Sequence, residues 1–391
     1  MEDKRNQLRK FVVPEIVFGT GALDLAGRYV KNFGGTKALV VTDPGIIEAG
    51  WTVKVTDTLE ELKIPYAVFS DLTINPKDHE VMNGAEFCMQ EKCDLIVAVG
   101  GGSVVDCAKG IGIVSTNRKH ILEFEGVDQI SLPGPPLVCV PTTAGSAADV
   151  SQFTIITDST RRVKVSIISK ALVPDVSLVD PQTTLTMDRN LTISTGFDAL
   201  AHAIESYVSN ANSPFTDLHA LKAVRILNEF FPLVMKKPSD TTYRREMMLG
   251  STHAGFAFSN ASLGLIHAMA HAIGGVTNAV HGECNAMLTP FIIDFNFDSA
   301  RERYIDIGKA MGMDFPKRPP EDHKNMLTDK LKKFRDSICF DRCYGDLGVT
   351  RENIPQMALN ASRDACIATN PRPASVEEIQ GIYERALGFQ V

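Results

Sequence analysis

The sequence predicts an α/β domain with a parallel β-sheet, followed by an all-helical domain. Up to about residue 190, short β-branched runs alternate with helical stretches of about 10–15 residues, which indicates parallel strands joined by helical crossovers. Beyond that point the β-branched runs stop, and long segments with a 3.6-residue apolar period take over. The chain has 391 residues, more than the about 250–300 at which a single core stops growing. We therefore expect two domains, at residues 1–185 and 186–391.

The elements of each domain follow from these patterns. Apolar, β-branched runs predict parallel strands at residues 37–42, 67–69, 95–99 and 137–140. Helical stretches between them are predicted at residues 51–62, 78–91 and 104–114. Two further runs flank a short turn and predict an antiparallel hairpin, at residues 152–157 and 164–169. In the second domain the period predicts helices at residues 190–208, 215–234, 243–258 and 263–274.

The composition argues against several classes of partner. A net charge of −7 without a basic block disfavours nucleic acid and anionic membrane surfaces. The longest apolar runs are far shorter than the about 20 residues of a membrane helix. The charged N-terminus lacks the apolar stretch of a signal peptide. The eight cysteines are scattered and are interpreted as reduced thiols, so we expect a cytoplasmic protein.

A glycine-rich turn lies between the strand predicted at residues 95–99 and the helix after it. The turn carries Gly100, Gly101, Gly102 and Ser103. Backbone N–H groups of residues without a Cβ can close on a pyrophosphate, and a helix N-terminus adds about half a positive charge. The spacing is not G-x-G-x-x-G. The alternative is a structural turn in which Ser103 is an N-cap.

Two more polar features follow predicted strands, at the sheet edge where parallel α/β sheets bind ligands. The carboxylate of Asp43 can accept a hydrogen bond from an adenosine ribose hydroxyl and repel a 2′-phosphate. Its alternative role is a structural Asx-turn. Thr142, Thr143 and Ser146 follow the last parallel strand and add hydroxyl groups to the same edge.

Five side chains of the second domain have the character and spacing of metal ligands. Asp198 and His202 are four residues apart, and so are His267 and His271, so each pair shares one helix face. His281 follows in a segment that we predict to be a loop. One histidine on an apolar face is usually a core residue, but two such pairs and a further histidine are difficult to explain by packing. Imidazoles with one carboxylate suit Fe²⁺, Zn²⁺, Mn²⁺ or Co²⁺. Because a catalytic ion keeps one position open, one of the five is expected to remain unliganded.

Several motifs together resemble those of the iron-containing, or group III, alcohol dehydrogenases: GGGSVVDCAKG, PTTAGSAADVS, TGFDALAHAIESYVS, SNASLGLIHAMAHAIGG, HGECNA and TNPRPAS. The resemblance covers nearly the whole chain. It implies a Rossmann-like dinucleotide-binding domain at residues 1–185 and a helical metal-binding and catalytic domain at residues 186–391. It also implies NAD(H) and Fe²⁺ as cofactors, with Zn²⁺ as the other metal, and hydride transfer to or from a small primary alcohol or aldehyde.

The resemblance also implies roles for individual residues. The metal ligands would be Asp198, His202, His267 and His281, and His271 would be the unliganded histidine near nicotinamide and substrate. The implied cofactor contacts are Asp43, Asn75, Gly100, Gly101, Gly102, Ser103, Thr142, Thr143, Ser146 and Lys164. The implied walls of the substrate pocket are Phe153, Phe258 and Cys366, although core packing accounts equally well for Phe258 and Cys366.

The chain departs from the family in one loop. The family pattern TTAGTGSE is here TTAGSAAD, so the last three positions are Ala147, Ala148 and Asp149. Ser146 keeps a hydroxyl that can donate to a phosphate, but contacts made by residues 147–149 are not carried over from the family.

Two alternative functions remain at this stage. An enzyme of the glycerol dehydrogenase/dehydroquinate synthase type shares the two-domain plan, but the synthase needs basic residues for a substrate phosphate, which the sequence lacks close to its histidine cluster. A regulatory or scaffold protein with an inactive dehydrogenase fold is disfavoured because no candidate ligand is missing. The N-terminal FVVPEIVFG resembles a family strand at a dimer edge, which predicts a homodimer or a higher homo-oligomer.

Overall fold

The computed structural model describes residues 8–277, 279–315, 319–338 and 347–388. Packing divides the chain into two compact units. The α/β unit comprises Val13–Asp188 and Ser239–Met248, and the helical unit comprises the described parts of Met1–Val12, Arg189–Pro238 and Leu249–Val391. The chain passes from the α/β unit to the helical unit after Asp188, whereas the expected boundary follows residue 185. Each unit also takes a short segment from the other side of that boundary.

Two sheets form the α/β unit in the described residues. Their strands are β1 (Glu15–Phe18), β2 (Ala38–Val41), β3 (Tyr66–Phe69), β4 (Leu95–Gly100), β5 (Gly126–Val127), β6 (Leu137–Pro141), β7 (Phe153–Asp158), β8 (Val163–Ile168) and β9 (Val176–Val179). The six-stranded sheet is parallel throughout, in the order β1-β9-β6-β4-β2-β3. The predicted hairpin is β7–β8, and it pairs antiparallel in a smaller sheet with β5. The predicted fold class is confirmed.

The central strand β4 explains why the strand sequences are apolar without alternation. Ile96 and Ala98 pack into the core on one face of the sheet. Val97 and Val99 pack into the core on the other face. Because helices cover both faces of a parallel sheet, every side chain of such a strand is buried. The segments that follow β2, β4 and β6 consequently leave the sheet at the same edge.

α-Helices are the other main elements of the two units. The α/β unit contains α1 (Ala26–Asn32), α2 (Pro44–Glu48), α3 (Trp51–Glu61), α4 (Asp78–Gln90) and α5 (Gly102–Asn117). The later helices are α6 (Arg189–Val208), α7 (Pro214–Lys236), α8 (Thr241–Ala261), α9 (Leu265–Thr277), α10 (His281–Asn296), α11 (Arg301–Ala310), α12 (Pro320–Ser337), α13 (Ile354–Arg363) and α14 (Val376–Ala386). The four helices predicted between residues 190 and 274 correspond to α6–α9. No helix of the described residues is both long enough and apolar enough to cross a membrane.

Helix α9 lies at the centre of the helical unit. Its residues Leu265 and Met269 belong to a core cluster that also includes Met287 of α10, Met357 of α13 and Tyr383 of α14. The hydroxyl of Tyr383 donates to the backbone carbonyl of Met269 over 2.7 Å. The helix is therefore held by packing on several sides, which fixes the direction in which its histidines point.

Candidate functional site

Three helices of the helical unit carry the four predicted metal ligands. Asp198 and His202 lie one turn apart on α6, and His267 lies on α9. The prediction that His281 lies in a loop was wrong, because α10 begins at this residue and Val280 is its N-cap. Asp198, His202 and His267 are buried, and His281 is partly exposed.

One carboxylate oxygen of Asp198 lies close to a ring nitrogen of each of the three histidines. Asp198 Oδ1 lies 3.5 Å from Nε2 of His267 and 3.5 Å from Nε2 of His281. It lies 3.7 Å from Nε2 of His202. Ligands about 2.0–2.2 Å from one ion in a tetrahedral arrangement are separated by about 3.3–3.6 Å. The distances to His267 and His281 therefore fit ligands of a single divalent ion, and the ligand atoms of Asp198, His267 and His281 all lie within 4.8 Å of one another. His202 lies slightly farther from Asp198 than this range.

Ring stacking orients one of these ligands. The imidazole of His202 stacks on His267, with ring centroids 4.5 Å apart and planes inclined by 11°. Phe258 of α8 stacks on His202 at 4.2 Å and 21°. The side chain predicted as a pocket wall thus packs directly against a candidate ligand.

Neighbouring charges shift the pKa values of Asp198 and His267 in opposite directions. Burial would raise the pKa of the Asp198 carboxyl, but the neighbouring charge of His202 and the hydrogen bond with His267 hold the pKa well below its usual range. Burial would lower the pKa of His267, but Asp198 and Glu205 raise it to about 9. The cluster therefore combines an ionised carboxylate with a positive charge. A divalent ion would take the place of that proton, since ligands bind metals in their deprotonated form.

A second buried carboxylate, Glu205 of α6, orients His267 from behind. Its Oε2 accepts a hydrogen bond from Nδ1 of His267 over 2.6 Å, and its Oε1 accepts from the backbone N–H of Ile266 over 2.5 Å. The contact leaves Nε2, which lies 3.5 Å from Asp198 Oδ1, as the nitrogen that would bind a metal, as in carboxylate–histidine–metal arrangements. A Cβ at Gly264 would lie 3.0 Å from Glu205 Oε1 and 2.8 Å from Asn370 Oδ1. Only glycine fits this close approach.

Asn285 holds the shared carboxylate from the opposite side. Its Nδ2 donates to Asp198 Oδ1 over 2.9 Å and lies 3.4 Å from Nε2 of His267. It lies four residues after His281, on the same face of α10. Within the described residues its buried Oδ1 has no hydrogen-bond partner. A polar atom left in this state beside the cluster is consistent with a site that binds further groups.

His271 lies beside the ligand cluster but has a partner of its own. Its ring stacks near His281, with centroids 5.1 Å apart and planes inclined by 19°, and lies edge-on to His267 at 6.1 Å. Its Nδ1 is 2.8 Å from Oδ2 of Asp364. Cys366, which follows two residues later, is completely buried.

The glycine turn packs against the loop that follows β6. Helix α5 begins at Gly102, and its N-cap is Gly101 rather than Ser103. A Cβ at Gly102 would lie 2.6 Å from Ser146 Oγ, and one at Gly101 would lie 3.0 Å from Thr143 Cγ2. The turn therefore has no side chain at Gly101 and Gly102, and its backbone there packs against two hydroxyl side chains of the neighbouring loop.

Three of the predicted cofactor residues contact each other although they are distant in sequence. The hydroxyl of Ser103 accepts from the backbone N–H of Asn75 over 3.3 Å. Nζ of Lys164, on β8, donates to Oδ1 of Asn75 over 2.7 Å. Asn75 has the left-handed φ of 59° that asparagine tolerates better than most residues.

Asp43 and Thr142 follow β2 and β6 at the same edge of the sheet. Asp43 is the N-cap of α2, and its Oδ1 accepts from the N–H of Ile46 over 3.0 Å. Asp43 thus has a structural role as a helix N-cap, which differs from the Asx-turn considered from the sequence, and this role occupies one of its two carboxylate oxygens. Oγ1 of Thr142 is buried without a hydrogen-bond partner in the part of the chain that the structure describes. The glycine turn, the N-terminus of α5 and the hydroxyl of Thr142 are groups that suit a bound dinucleotide.

The loop that departs from the family pattern is held from inside the α/β unit. Ala147 has φ 48° and ψ 31°, a left-handed conformation that favours glycine, which the family pattern has at this position. Burial raises the pKa of Asp149, whose Oδ2 accepts from Ser177 Oγ over 2.6 Å. Nζ of the buried Lys109 donates to three backbone carbonyls of the same segment, those of Ala148, Ser151 and Phe153. The first residue of β7, Phe153, is thereby fixed through its backbone.

Sequence reasoning missed three residues of the site: Glu205, Asn285 and Asp364. Asn285 could have been found, because it repeats the four-residue spacing from His281. Glu205 lies seven residues after Asp198, again on one helix face. Asp364 has no such signal, because its partner lies on a helix 93 residues earlier in the chain.

Two family models match successive parts of the chain. A family model described as iron-containing alcohol dehydrogenase matches residues 14–181. A second model, described as the C-terminal part of the Fe-containing alcohol dehydrogenase family, matches residues 192–387.

Individual relatives are similar over almost their full length. The chain is 37% identical to 1,3-propanediol dehydrogenase of Citrobacter freundii over 379 residues, which cover 96% of this chain and 98% of that protein. It is 35% identical to NAD-dependent methanol dehydrogenase of Bacillus methanolicus over 377 residues, 96% and 99% of the two chains. A crystal structure of 1,3-propanediol oxidoreductase matches with a TM-score of 0.93 and 35% identity, and covers 97% of this chain and 100% of that one.

We expect Glu205→Gln to weaken metal binding by about 10–100-fold, because the amide offers one acceptor where the carboxylate offers two, to His267 and Ile266. Competition with a chelator measures the affinity. Glu229→Gln, at an exposed position of α7, is the matched control and should bind metal like the wild type. Equal affinity in both variants would contradict the role assigned to Glu205.

We expect Ala147→Gly to raise the free energy of unfolding of the α/β unit by about 0.5–1 kcal/mol, because glycine adopts the left-handed conformation without a Cβ clash. Denaturant unfolding followed by the fluorescence of Trp51, the chain's single tryptophan, reports on this unit. Ala148→Gly, inside the adjoining 3-10 helix, should lower stability by about the same amount. A loss of stability in Ala147→Gly would refute the strain argument.

Proposed function

Because the chain belongs to the iron-containing alcohol dehydrogenase family, it is an oxidoreductase of alcohols and aldehydes, and we propose that it transfers hydride between NAD(H) and a small primary alcohol or aldehyde. The observation that carries the proposal is the set of three histidine Nε2 atoms 3.5–3.7 Å from one oxygen of Asp198. The names of two relatives support a small substrate, since they state methanol and 1,3-propanediol.

The proposed metal is Fe²⁺, and Zn²⁺ suits the same donor set. Asp198, His202, His267 and His281 would hold it. A divalent ion bound there supplies a Lewis acid that lowers the pKa of an alcohol hydroxyl or polarises a carbonyl oxygen. Asn285 keeps the Asp198 carboxylate in orientation.

The proposed cofactor site uses the sheet edge of the α/β unit. Backbone N–H groups of the turn at residues 100–103 and the N-terminus of α5 bind the pyrophosphate. The hydroxyls of Thr142, Thr143 and Ser146 donate to it. The second carboxylate oxygen of Asp43 accepts from a ribose hydroxyl. Asn75 and Lys164 bind the adenosine half. A bound nicotinamide supplies the hydride acceptor or donor.

His271 is the proposed proton acceptor when an alcohol is oxidised. It lies next to the ligands and would bind no metal itself, so its imidazole is available to receive the hydroxyl proton, a role worth about 10²–10⁴-fold in rate. Phe258 would form part of the substrate pocket through its position on His202, and the role of Phe153 as a pocket wall stays a prediction. Complete burial of Cys366 behind Asp364 favours packing over substrate contact.

The alternative functions are less well supported. A dehydroquinate synthase-type reaction needs lysine or arginine beside the metal for the substrate phosphate. Within the described residues, the ion pairs of Asp198 are all with histidines. A scaffold without activity would not need Glu205 and Asn285 to orient the ligands.

We also propose a cytoplasmic homodimer or larger homo-oligomer. Strand β1 forms one edge of the six-stranded sheet, and an edge strand presents backbone groups that can pair with a second chain. Light scattering of the purified protein in solution measures the number of chains.

The direct test measures NADH formation by the Fe²⁺-loaded protein with methanol, ethanol, 1-propanol, 1,2-propanediol and 1,3-propanediol, and NADH consumption with the corresponding aldehydes. Each substrate is also tested with NADP(H). We expect turnover with at least one primary alcohol. Absence of turnover with every substrate and both cofactors would favour the scaffold interpretation.

We expect His267→Ala to lose metal and activity together, because His267 presents Nε2 to Asp198 and Nδ1 to Glu205. Metal content per chain and alcohol oxidation are the measurements. His253→Ala removes a histidine of the same unit that bonds to His219, and it should retain both. If His267→Ala binds one metal per chain and turns over normally, the ligand assignment is wrong.

We expect the wild type to prefer NAD(H), and Asp43→Gly to raise the relative use of NADP(H) by about fivefold or more, because about 1 kcal/mol of charge repulsion is removed. Asp43→Asn keeps an acceptor for the N–H of Ile46, so it separates the loss of charge from the loss of the helix cap. Ratios of kcat/KM for the two cofactors are measured. A wild type that prefers NADP(H) would contradict the role of Asp43.

A further inference from the structure

Asp364 and His271 form a buried pair that the proposed reaction does not by itself explain. Oδ2 of Asp364 lies 2.8 Å from Nδ1 of His271, and both side chains are 7% exposed. We propose that Asp364 is a positioning residue that fixes the tautomer and ring orientation of His271, so that Nε2 is the nitrogen that receives the proton. This inference rests on the proposed function of His271.

The tautomer follows from the chemistry of the two groups. An ionised carboxylate only accepts hydrogen bonds, so the 2.8 Å contact requires the proton on Nδ1. In a neutral imidazole the other nitrogen is then an acceptor. His271 Nε2 is therefore ready to take a proton. With the opposite tautomer Nε2 would carry a hydrogen and could not act as a base.

Asp364 is itself held rigidly. It is the N-cap of the 3-10 helix Ala365–Thr369, and its Oδ1 accepts from the backbone N–H of Cys366 over 2.8 Å. Each carboxylate oxygen thus has a donor, which is the condition for a buried carboxylate to remain ionised.

Cys366 contributes support rather than reactivity. Its side chain is completely buried, and burial raises the pKa of the thiol well above its usual value. A protonated thiol next to Asp364 is a further donor to the carboxylate. The residue predicted as a pocket wall is therefore assigned to the support of Asp364.

A second metal site is the competing explanation for this group. Ligand atoms of His271, Asp364 and Cys366 lie within 4.8 Å of one another. Two ligands of one tetrahedral ion are, however, separated by about 3.3–3.6 Å, whereas Nδ1 and Oδ2 are 2.8 Å apart. That distance is typical of a hydrogen bond to a charged group. The geometry favours the positioning role.

A double-mutant cycle separates positioning from a general structural effect. Asp364→Asn should lower kcat by about 10–100-fold with metal content unchanged, because the amide can donate to Nδ1 and stabilise the wrong tautomer. Adding Asp364→Asn to His271→Gln should change kcat little, since the residue it acts through is already lost. An equal further loss in the His271→Gln background would overturn the proposal. Asp217→Asn, which removes the carboxylate paired with Arg303 in the same unit, is the matched control and should retain the wild-type kcat.

The tautomer can be measured without any turnover. In Zn²⁺-loaded protein with ¹⁵N-labelled histidine, proton–nitrogen correlation spectra distinguish Nδ1–H from Nε2–H, and the signals of His271 are those lost in His271→Gln. We expect Nδ1–H in the wild type and in Asp217→Asn, and partial or complete Nε2–H in Asp364→Asn. An Nε2–H tautomer in the wild type would overturn the proposal even if Asp364→Asn failed to fold. A second metal ion per chain would also overturn it. Failure of the proposed function would instead appear as a wild type without turnover, whatever its tautomer.

Discussion

Burying a carboxylate costs several kcal/mol unless other groups replace the water that solvates it, and this constraint at Asp198 determines what surrounds it. The replacement consists of three imidazole nitrogens and the amide of Asn285, all directed to one oxygen. These groups are buried or partly buried in turn, so each requires a fixed orientation of its own. The helices that carry them cannot shift independently, because a displacement of one would remove a partner from the carboxylate. A divalent ion at this position takes over the compensation and strengthens the same constraint.

The constraint extends to a further layer of polar groups. Glu205 holds His267 and one N–H at the start of α9. Asn370 accepts from the neighbouring N–H, that of Leu265, over 3.1 Å, and it also exchanges hydrogen bonds with Asn296 at the end of α10. Two N–H groups at the start of α9, which have no partner within the helix, are thus satisfied by side chains from two other segments. The TNPR motif near the end of the chain has a physical role: its asparagine connects the first turn of α9 to α10, and so the ligand helices to each other.

Periodicity in the sequence predicted much of this arrangement, and its failures have physical causes. The spacing of Asp198 and His202 fixed their common face because helix geometry is local. The start of α10, in the segment VHGEC, was predicted to be a loop. Gly282 is instead helical, and a Cβ there would lie 1.9 Å from the backbone oxygen of Ser194. Gly282 thus allows α6 and α10 to approach each other closely. This contact depends on tertiary packing, which cannot be predicted from either segment alone. The pairing of Asp364 with His271 was invisible for the same reason. In the α/β unit the sheet was predictable because apolar strands repeat, whereas the contact between Asn75 and Lys164 requires the folded hairpin.

The two candidate sites differ in whether side chains or backbone groups would contact the ligand. In the metal cluster the side chains make the contacts, so the identity of residues such as His267 and Asp198 matters directly. At the sheet edge the backbone of residues 100–103 and the terminus of α5 present the N–H groups, so identity matters mainly where a side chain would obstruct them. This difference explains how the TTAGSAAD loop can depart from the family pattern. Ala147 retains the left-handed backbone at some energetic cost, while Lys109 fixes the carbonyls of the segment from behind. The backbone path, and with it the position of Ser146 against Gly102, is thereby maintained by groups outside the motif that changed.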